Sequence, residues 1–250
     1  MKFDLHIHSC LSPCASLEMA PSEIVEAALK AGMQGIALTD HNSARNCPAI
    51  AECARRAGLK CLFGLEVCTI EEVHTLALFD TLEQAAAMTD WVYAAMIKRV
   101  NDPEAFGDQP VVTWDNDIVE LEWRILGSPA RKTIQETGAK CHELGGVFIA
   151  AHVDRPAFSV FSQLGDIPPD AGFDAVEISR TGDEREWRAK TRGFAATRSS
   201  DAHNIGDVAL VWTEAPDFPF TVSGLRSAFA AGATALSPPL RFGLAQGADA

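Results

Sequence analysis

The chain opens on an alternating pattern. Lys2-Phe3-Asp4-Leu5-His6-Ile7-His8 places Phe3, Leu5 and Ile7 on one face and polar residues on the other. That period of two predicts a first strand over Lys2 to His8, with His6 and His8 side by side at its C-terminal end. Imidazoles two positions apart on a strand stand about 6–7 Å apart, close enough to share a cation. After the loop SCLSPCASLEMAP the pattern turns helical, from Glu23 to about Ala31, with Ser22 as expected N-cap and Gly32 as stop. Gly35 to Thr39 is a short buried strand, Pro48 to Ala57 a helix ended by Gly58, Lys60 to Glu66 a third strand and Val73 to Phe79 a fourth. Strand and helix alternating at this spacing predict βα units around a parallel sheet.

From 82 to 145 the rhythm breaks. Leu82 to Val100 reads as a long helix, and Asp102 to Leu126 as an acidic, Trp-containing stretch. The latter holds a hairpin near Val111-Val112-Thr113, with its turn at Asp115-Asn116-Asp117. A helix from about Pro129 to Leu144 follows, closed by Gly145-Gly146. This stretch reads as an elaboration of a barrel, and its Trp91, Trp114 and Trp123 as packing anchors or stacking surfaces. If helical, Glu120 and Arg124 have i,i+4 spacing. The rhythm then resumes with strands at Val147–Ala151, Ala175–Ile178, Phe194–Thr197 and Ala209–Thr213. Helices are expected at Glu184–Arg192 and Ser223–Ala231, and a loose tail after Pro239. Without repeats or linkers, residues 1–250 read as one domain.

Composition narrows the classes. A 250-residue chain with 47% hydrophobic residues can bury a large core, and one α/β barrel of this length is ordinary. The net charge of −13 disfavours long nucleic acid bound through the overall field, but not a small phosphorylated substrate. No signal-peptide pattern and no run approaching roughly 18 apolar residues is visible, so a cytoplasmic protein without membrane contact is expected. Seven cysteines, at 10, 14, 47, 53, 61, 68 and 141, lack CxxC spacing and read as reduced, mostly packed thiols.

The candidate chemistry gathers at strand ends. His6, His8, His41, Glu66, His152, Asp201 and His203 end strands or follow them, and His74 begins the fourth. Singly each has an ordinary structural reading: His41 or Asp201 as a cap, Glu66 as an arginine partner. In a parallel barrel, however, strand C-termini converge on one rim, so their joint placement points to a metal site. The ordered strings DLHIHS, LTDHNS, GLEV, VHTLALF, AAHVDRP and SSDAHN resemble the PHP (polymerase and histidinol phosphatase) family from about Lys2 to Trp212.

That resemblance implies a distorted (β/α)7 barrel holding two or three divalent metals and hydrolysing phosphate esters. It implies a first metal on His6, His8, Glu66 and Asp201, a second on His41 and His203, and a third on His74 and His152 with Glu66 bridging. Asp40 would orient ligands from behind or cap a helix. One departure stands out: five or six positions after the second His, where many members carry Asp or His, this chain has Pro13 and Cys14. A Cys14 thiolate would favour Zn or Fe(II) over Mg or Mn; otherwise Cys14 is a packed thiol. Arg155, Arg180 and Arg198 are the candidate phosphate grips, and His203 a proton shuttle if not a ligand.

The expected activity is hydrolysis of a small phosphomonoester or nucleotide by a metal-activated water, with Glu66, Asp201 and His203 as its catalytic core. The alternatives are an exonuclease trimming short strands, an amidohydrolase, and a non-catalytic metal-binding or redox-sensing barrel. Zn, Fe and Mn all remain open, as does the oligomeric state. His142, among polar neighbours, reads as solvent-facing.

Overall fold

Short apolar strands alternate with amphipathic helices through most of the chain. The computed structural model describes residues 1–191, 193–216 and 218–241. The tail beyond 241 and Arg192, the expected end of a helix, lie outside the described residues. In chain order the elements are β1 (Lys2–Asp4), α1 (Pro21–Lys30), β2 (Gly35–Leu38), α2 (Cys47–Ala57), β3 (Lys60–Cys68) and β4 (His74–Phe79). Then come α3 (Leu82–Ala95), α4 (Pro103–Phe106), β5 (Pro110–Val112), β6 (Ile118–Leu121), α5 (Ile134–Glu143) and β7 (Val147–Ala150). The last are α6 (Val160–Leu164), β8 (Ala175–Glu177), α7 (Glu184–Lys190), β9 (Ala196–Thr197), β10 (Thr213–Glu214), α8 (Val222–Ala230) and β11 (Ala235–Leu236).

Nine of these strands form one sheet in the order β11-β10-β1-β2-β3-β4-β7-β8-β9. It curls almost closed: Thr234, beside β11, donates its hydroxyl to the Ala196 carbonyl of β9 at 2.9 Å. This is the distorted barrel the sequence implied, with nine strands among the described residues instead of seven. It is also not all parallel. β4 is antiparallel to β3 and β7, and β10 is antiparallel to β1 and β11. The β3–β4 connection is too short for a helical crossover, so the strand must turn back. That reversal puts the start of β4, and with it His74, on the rim where the other strands end.

Both faces of the strands are buried, as the near-continuous apolar runs demand. Leu76 and Leu78 of β4 and Val147 and Ile149 of β7 join Phe3 and Leu5 in an inner core, to which Phe220 and α8 contribute. Ala77 and Phe79, with Phe148 and Ala150, face outward to α1, α2, α3 and α5. Gly35, at the start of β2, is required by close approach: a Cβ there would stand 2.7 Å from the Phe220 ring.

Several local expectations fail for identifiable reasons. Strand β1 stops at Asp4 because the Asp4 carboxylate accepts the His6 N–H at 3.3 Å, an Asx-type turn. Phe3 and Leu5 therefore lie in the inner core and Ile7 in the outer one, not on one face. Helix α1 begins at Pro21, with Ala20 as N-cap, so Ser22 is inside it. Ala209–Val211 is not a strand, and Ala209 sits at φ 57°. Glu120 lies on β6, where it pairs with Arg45 at 2.5 Å, not with Arg124. Within 82–145, α3 and α5 pack on β3, β4 and β7 like barrel helices; the β5–β6 ribbon forms a separate two-stranded sheet. The three tryptophans there are covered by cations, Trp91 by Lys132, Trp114 by Arg56 and Trp123 by Arg124.

Candidate metal centre

Two short pairings build the site. Ile7 bridges Ala202 in parallel, so His6 and His8 come to lie beside Asp201 and His203. His41 bridges Glu66 in the same way. His152 follows β7, and His74 opens the reversed β4 opposite Cys68. All eight predicted residues thus meet on one rim. His6, His8, His152 and Glu66 are almost wholly buried.

The carboxylate of Glu66 is the hub. Its Oε1 lies 3.3 Å from His6 Nε2, 3.0 Å from His74 Nδ1 and 3.1 Å from His152 Nε2. Its Oε2 lies 3.4 Å from His8 Nε2 and 3.0 Å from His41 Nδ1. Asp201 Oδ1 is 3.3 Å from His6 Nε2 and 3.2 Å from His8 Nε2. The two Nε2 atoms of His6 and His8 are themselves 3.1 Å apart.

These separations fit a shared ion. Ligand atoms about 2.1 Å from a cation stand about 3.0 Å apart in octahedral geometry and about 3.4 Å apart in tetrahedral geometry. His6, His8, Glu66 and Asp201 fall in that interval. So do His74 and His152 about Glu66. His41 Nδ1 is buried without a hydrogen-bond partner although Glu66 Oε2 is 3.0 Å away. Such atoms face a common centre more than each other. The donor set, imidazoles with carboxylates, suits a divalent transition metal.

Electrostatics divide the group. Against the opposing effect of burial, the nearby carboxylates of Asp201, Glu177 and Glu66 push His6 up. Against the same effect, Glu66 with Cys14 pushes His41 up to about 10, so a cation binding there would displace the protons of both. Burial alone would raise the Glu66 carboxyl, but His74, His6 and His41 hold it well below the usual carboxylate range. It is therefore ionised and available to bind. Burial, with His203 and His41 nearby, pushes His8 down, which favours the neutral imidazole a metal requires.

Cys14 joins this group. Its Sγ lies 3.1 Å from His203 Nε2. Cys14 is exposed at its surface; desolvation by its neighbours would raise the thiol, but hydrogen bonds to His203 and His41 bring it to about 6. Cys10 and Cys68, also near the rim in sequence, differ: burial pushes each up to about 12. Only Cys14, of these three, is placed as a thiolate beside two imidazoles. Cys14→Ser is expected to lower zinc or iron(II) occupancy while sparing manganese; unchanged metal content would make the thiol a packing group.

The groups behind the ligands are only partly legible in the sequence. Ser12 Oγ lies 2.9 Å from His8 Nδ1 and donates to Asp40 Oδ1 at 2.6 Å, so Asp40 orients His8 through Ser12. Glu177, at the end of β8, was missed. Its Oε1 lies 3.0 Å from His6 Nδ1 and accepts the His152 N–H at 3.1 Å, fixing two histidines at once. Its position at a strand end, like that of Glu66, was the available signal. Carboxylates that hold a metal-binding histidine typically contribute about 10–100-fold to metal affinity or activity. Glu177→Ala is expected to weaken metal binding by that factor, read by competition with a chelator; unchanged affinity would contradict this role. Asp4 accepts from Ser200 Oγ at 2.6 Å and from the Ala209 N–H at 3.2 Å, tying the Asp201 loop to β1. His152 and Asp201 have φ of 26° and 47°, left-handed conformations that cost about 1–3 kcal/mol each and gather at functional sites.

The three arginines separate. Arg155 reaches the site and forms an ion pair with Asp201 Oδ2. Arg180 pairs with Asp207 at 3.1 Å, in the turn after His203. Arg198 does not serve the site. It is fully buried, and its guanidinium donates to the carbonyls of Ser179 (3.2 Å), Gly182 (2.6 Å) and Ser237. The sequence placed it three residues before Asp201 but could not show that it points away. His142, expected to face solvent, is half-buried against Asp174 at 2.9 Å.

Similarities to known proteins follow the same lines. Residues 4–137 match the PHP domain and residues 185–234 the PHP-associated domain. A 71-residue stretch is 35% identical to the PolC-type DNA polymerase III of Streptococcus pyogenes, covering 28% of this chain but 5% of that protein. The fold is similar to that of the lesion-specific endonuclease PfuEndoQ from Pyrococcus furiosus (TM-score 0.70, 20% identity, 94% of this chain and 57% of that one). It is also similar to a Bifidobacterium adolescentis protein described as a metal-dependent phosphoesterase (TM-score 0.61, 20% identity, 92% and 96%). Among the described residues, no helix is long and apolar enough to cross a membrane. With more than half of its length matched and its metal-type ligands gathered on one rim, the chain belongs to the PHP domain family.

Proposed function

We propose that the protein is a metal-dependent phosphoesterase acting on a small phosphomonoester or nucleotide. The observation that carries this reading is the Glu66 carboxylate facing five imidazoles at 3.0–3.4 Å. The first metal would be held by His6, His8, Glu66 and Asp201, the second by His41, His203 and Cys14, and the third by His74, His152 and Glu66. Zinc, iron(II) and manganese are the candidates, with Cys14 favouring the first two. Divalent ions held by these residues would lower the pKa of a water toward 7 and neutralise phosphoryl oxygens.

The chain's own residues do the rest. Glu66 keeps adjoining cation sites in register, and Glu177 and Ser12 fix the ring orientations of His6 and His8. Arg155 turns from Asp201 to a phosphoryl oxygen when substrate enters, since both are anionic partners for its guanidinium. His203 is the outermost imidazole of the group, about a quarter exposed, and can pass a proton to the leaving oxygen if it is not a ligand. The free thiols suit a reducing, cytoplasmic setting.

A second reading, cleavage of short or damaged nucleic acid, is favoured by the endonuclease fold neighbour. Elemental analysis, paired with turnover on monoesters, dinucleotides, oligonucleotides and a duplex with an abasic site, decides between them. Two or three metals with monoester turnover supports the first reading, and turnover on oligonucleotides or the duplex alone supports the second. No metal and no turnover after loading with Zn, Fe or Mn overturns both.

A further inference from the structure

Phe158 stands at the mouth of the metal centre in a way that core packing does not explain. It follows His152 and Arg155 on the loop between β7 and α6. Its ring stacks on that of His74, with centroids 4.7 Å apart and planes 21° from parallel. The residue is nevertheless 43% exposed, so His74 covers one face and solvent meets the other. Its backbone is at φ 56°, where a bulky residue is strained and glycine is not. A glycine there would ease the backbone and lose little burial. The phenyl ring is therefore retained against a backbone cost.

The platform is also rigid. The Phe158 carbonyl accepts the His74 N–H at 2.9 Å, Arg155 N–H bonds the His152 carbonyl at 2.9 Å, and Ser159 Oγ bonds the Arg155 carbonyl at 2.7 Å. Ser159 then caps α6. One short loop thus presents a metal-type ligand, a guanidinium and an aromatic face in fixed order.

We propose that the exposed face of Phe158 is the leaving-group subsite and that it takes a flat aromatic ring, a nucleobase. With the phosphate at the Glu66 cluster and Arg155, the base of a nucleotide stacks on Phe158. This rests on the phosphoesterase reading and selects nucleotides over sugar phosphates within it. Trp114 and Trp123 of the 82–145 stretch are about as exposed as Phe158, but their rings carry guanidinium groups, whereas the Phe158 ring stacks on a histidine of the Glu66 cluster.

Base stacking on an aromatic side chain contributes about 1–3 kcal/mol, a preference of roughly 5- to 150-fold. The test is calorimetric binding of two non-hydrolysable phosphonates, the analogues of adenosine 5′-monophosphate and of ribose 5-phosphate, to metal-loaded protein. The parent is expected to prefer the adenosine analogue by at least about 5-fold. Phe158→Trp should keep that preference, and Phe158→Leu should abolish it with metal content unchanged. Equal affinities in the parent, a preference surviving in Phe158→Leu, or an equal loss for both ligands would each overturn the subsite. The last would mean the ring only positions His74. Binding of neither analogue overturns it too. Turnover of the two phosphate esters is scored separately, so hydrolysis without a base preference defeats the subsite alone. A base preference without hydrolysis defeats the phosphoesterase reading alone.

Discussion

Replacing Glu66 by Gln is expected to empty more than one cation site at once and to lower turnover by more than about 100-fold. A supporting carboxylate behind a histidine contributes about 10–100-fold, and a bridging ligand contributes more. Both oxygens of Glu66 are engaged, Oε1 toward His6, His74 and His152, Oε2 toward His8 and His41. An amide keeps the volume but removes the charge, and it turns one oxygen into a donor facing imidazoles that must themselves be lone-pair donors to a metal. The fold should persist, because Leu65, Val67 and the strand partners of β3 keep their packing. Metal content by elemental analysis, turnover and circular dichroism check this together. A Glu66→Gln protein with its full metal complement and turnover would refute the bridging role.

The second large effect concerns stability. Arg198→Met is expected to destabilise the protein by at least about 1–3 kcal/mol, the usual cost of leaving a buried acceptor without its donor. Methionine fills much of the volume, but the carbonyls of Ser179, Gly182 and Ser237 are left without their donor. Burial already pulls the Arg198 guanidinium pKa down, and the three acceptors compensate its desolvation. The midpoint of urea unfolding on metal-loaded protein measures the loss. A variant as stable as the parent but with a raised KM would restore Arg198 to the role of a phosphate grip.

The two arginines show where sequence reasoning runs out. Arg155 and Arg198 both lie three residues from a rim residue, and only side-chain direction distinguishes them. Arg155 reaches Asp201, whereas Arg198 turns to buried carbonyls beneath the rim. The thiols pose the same problem. Cys10, Cys14 and Cys68 are all near the rim by position, but only Cys14 Sγ is close to His203 Nε2.

The part legible in the amino-acid order is the pattern that local physics writes into a chain. Alternating and helical periodicities gave the order of strands and helices, and the polar residues at apolar strand ends gave His6, His8, His41, Glu66, His152, Asp201 and His203 as one group, to which the family resemblance added His74. Burial of a sheet on both faces forces polar residues to its ends, so such a group is visible before any contact is known. The tertiary structure alone decided strand direction, ligand-atom geometry and the identity of the supporting groups. The reversal of β4 carries His74 to the rim, and the Ile7–Ala202 bridge sets His6 and His8 against Asp201. Glu177 meets His6 across 171 residues of chain, and Phe158 meets His74 across a loop. Contacts between residues so distant in sequence depend on how whole elements pack, and no local period encodes them.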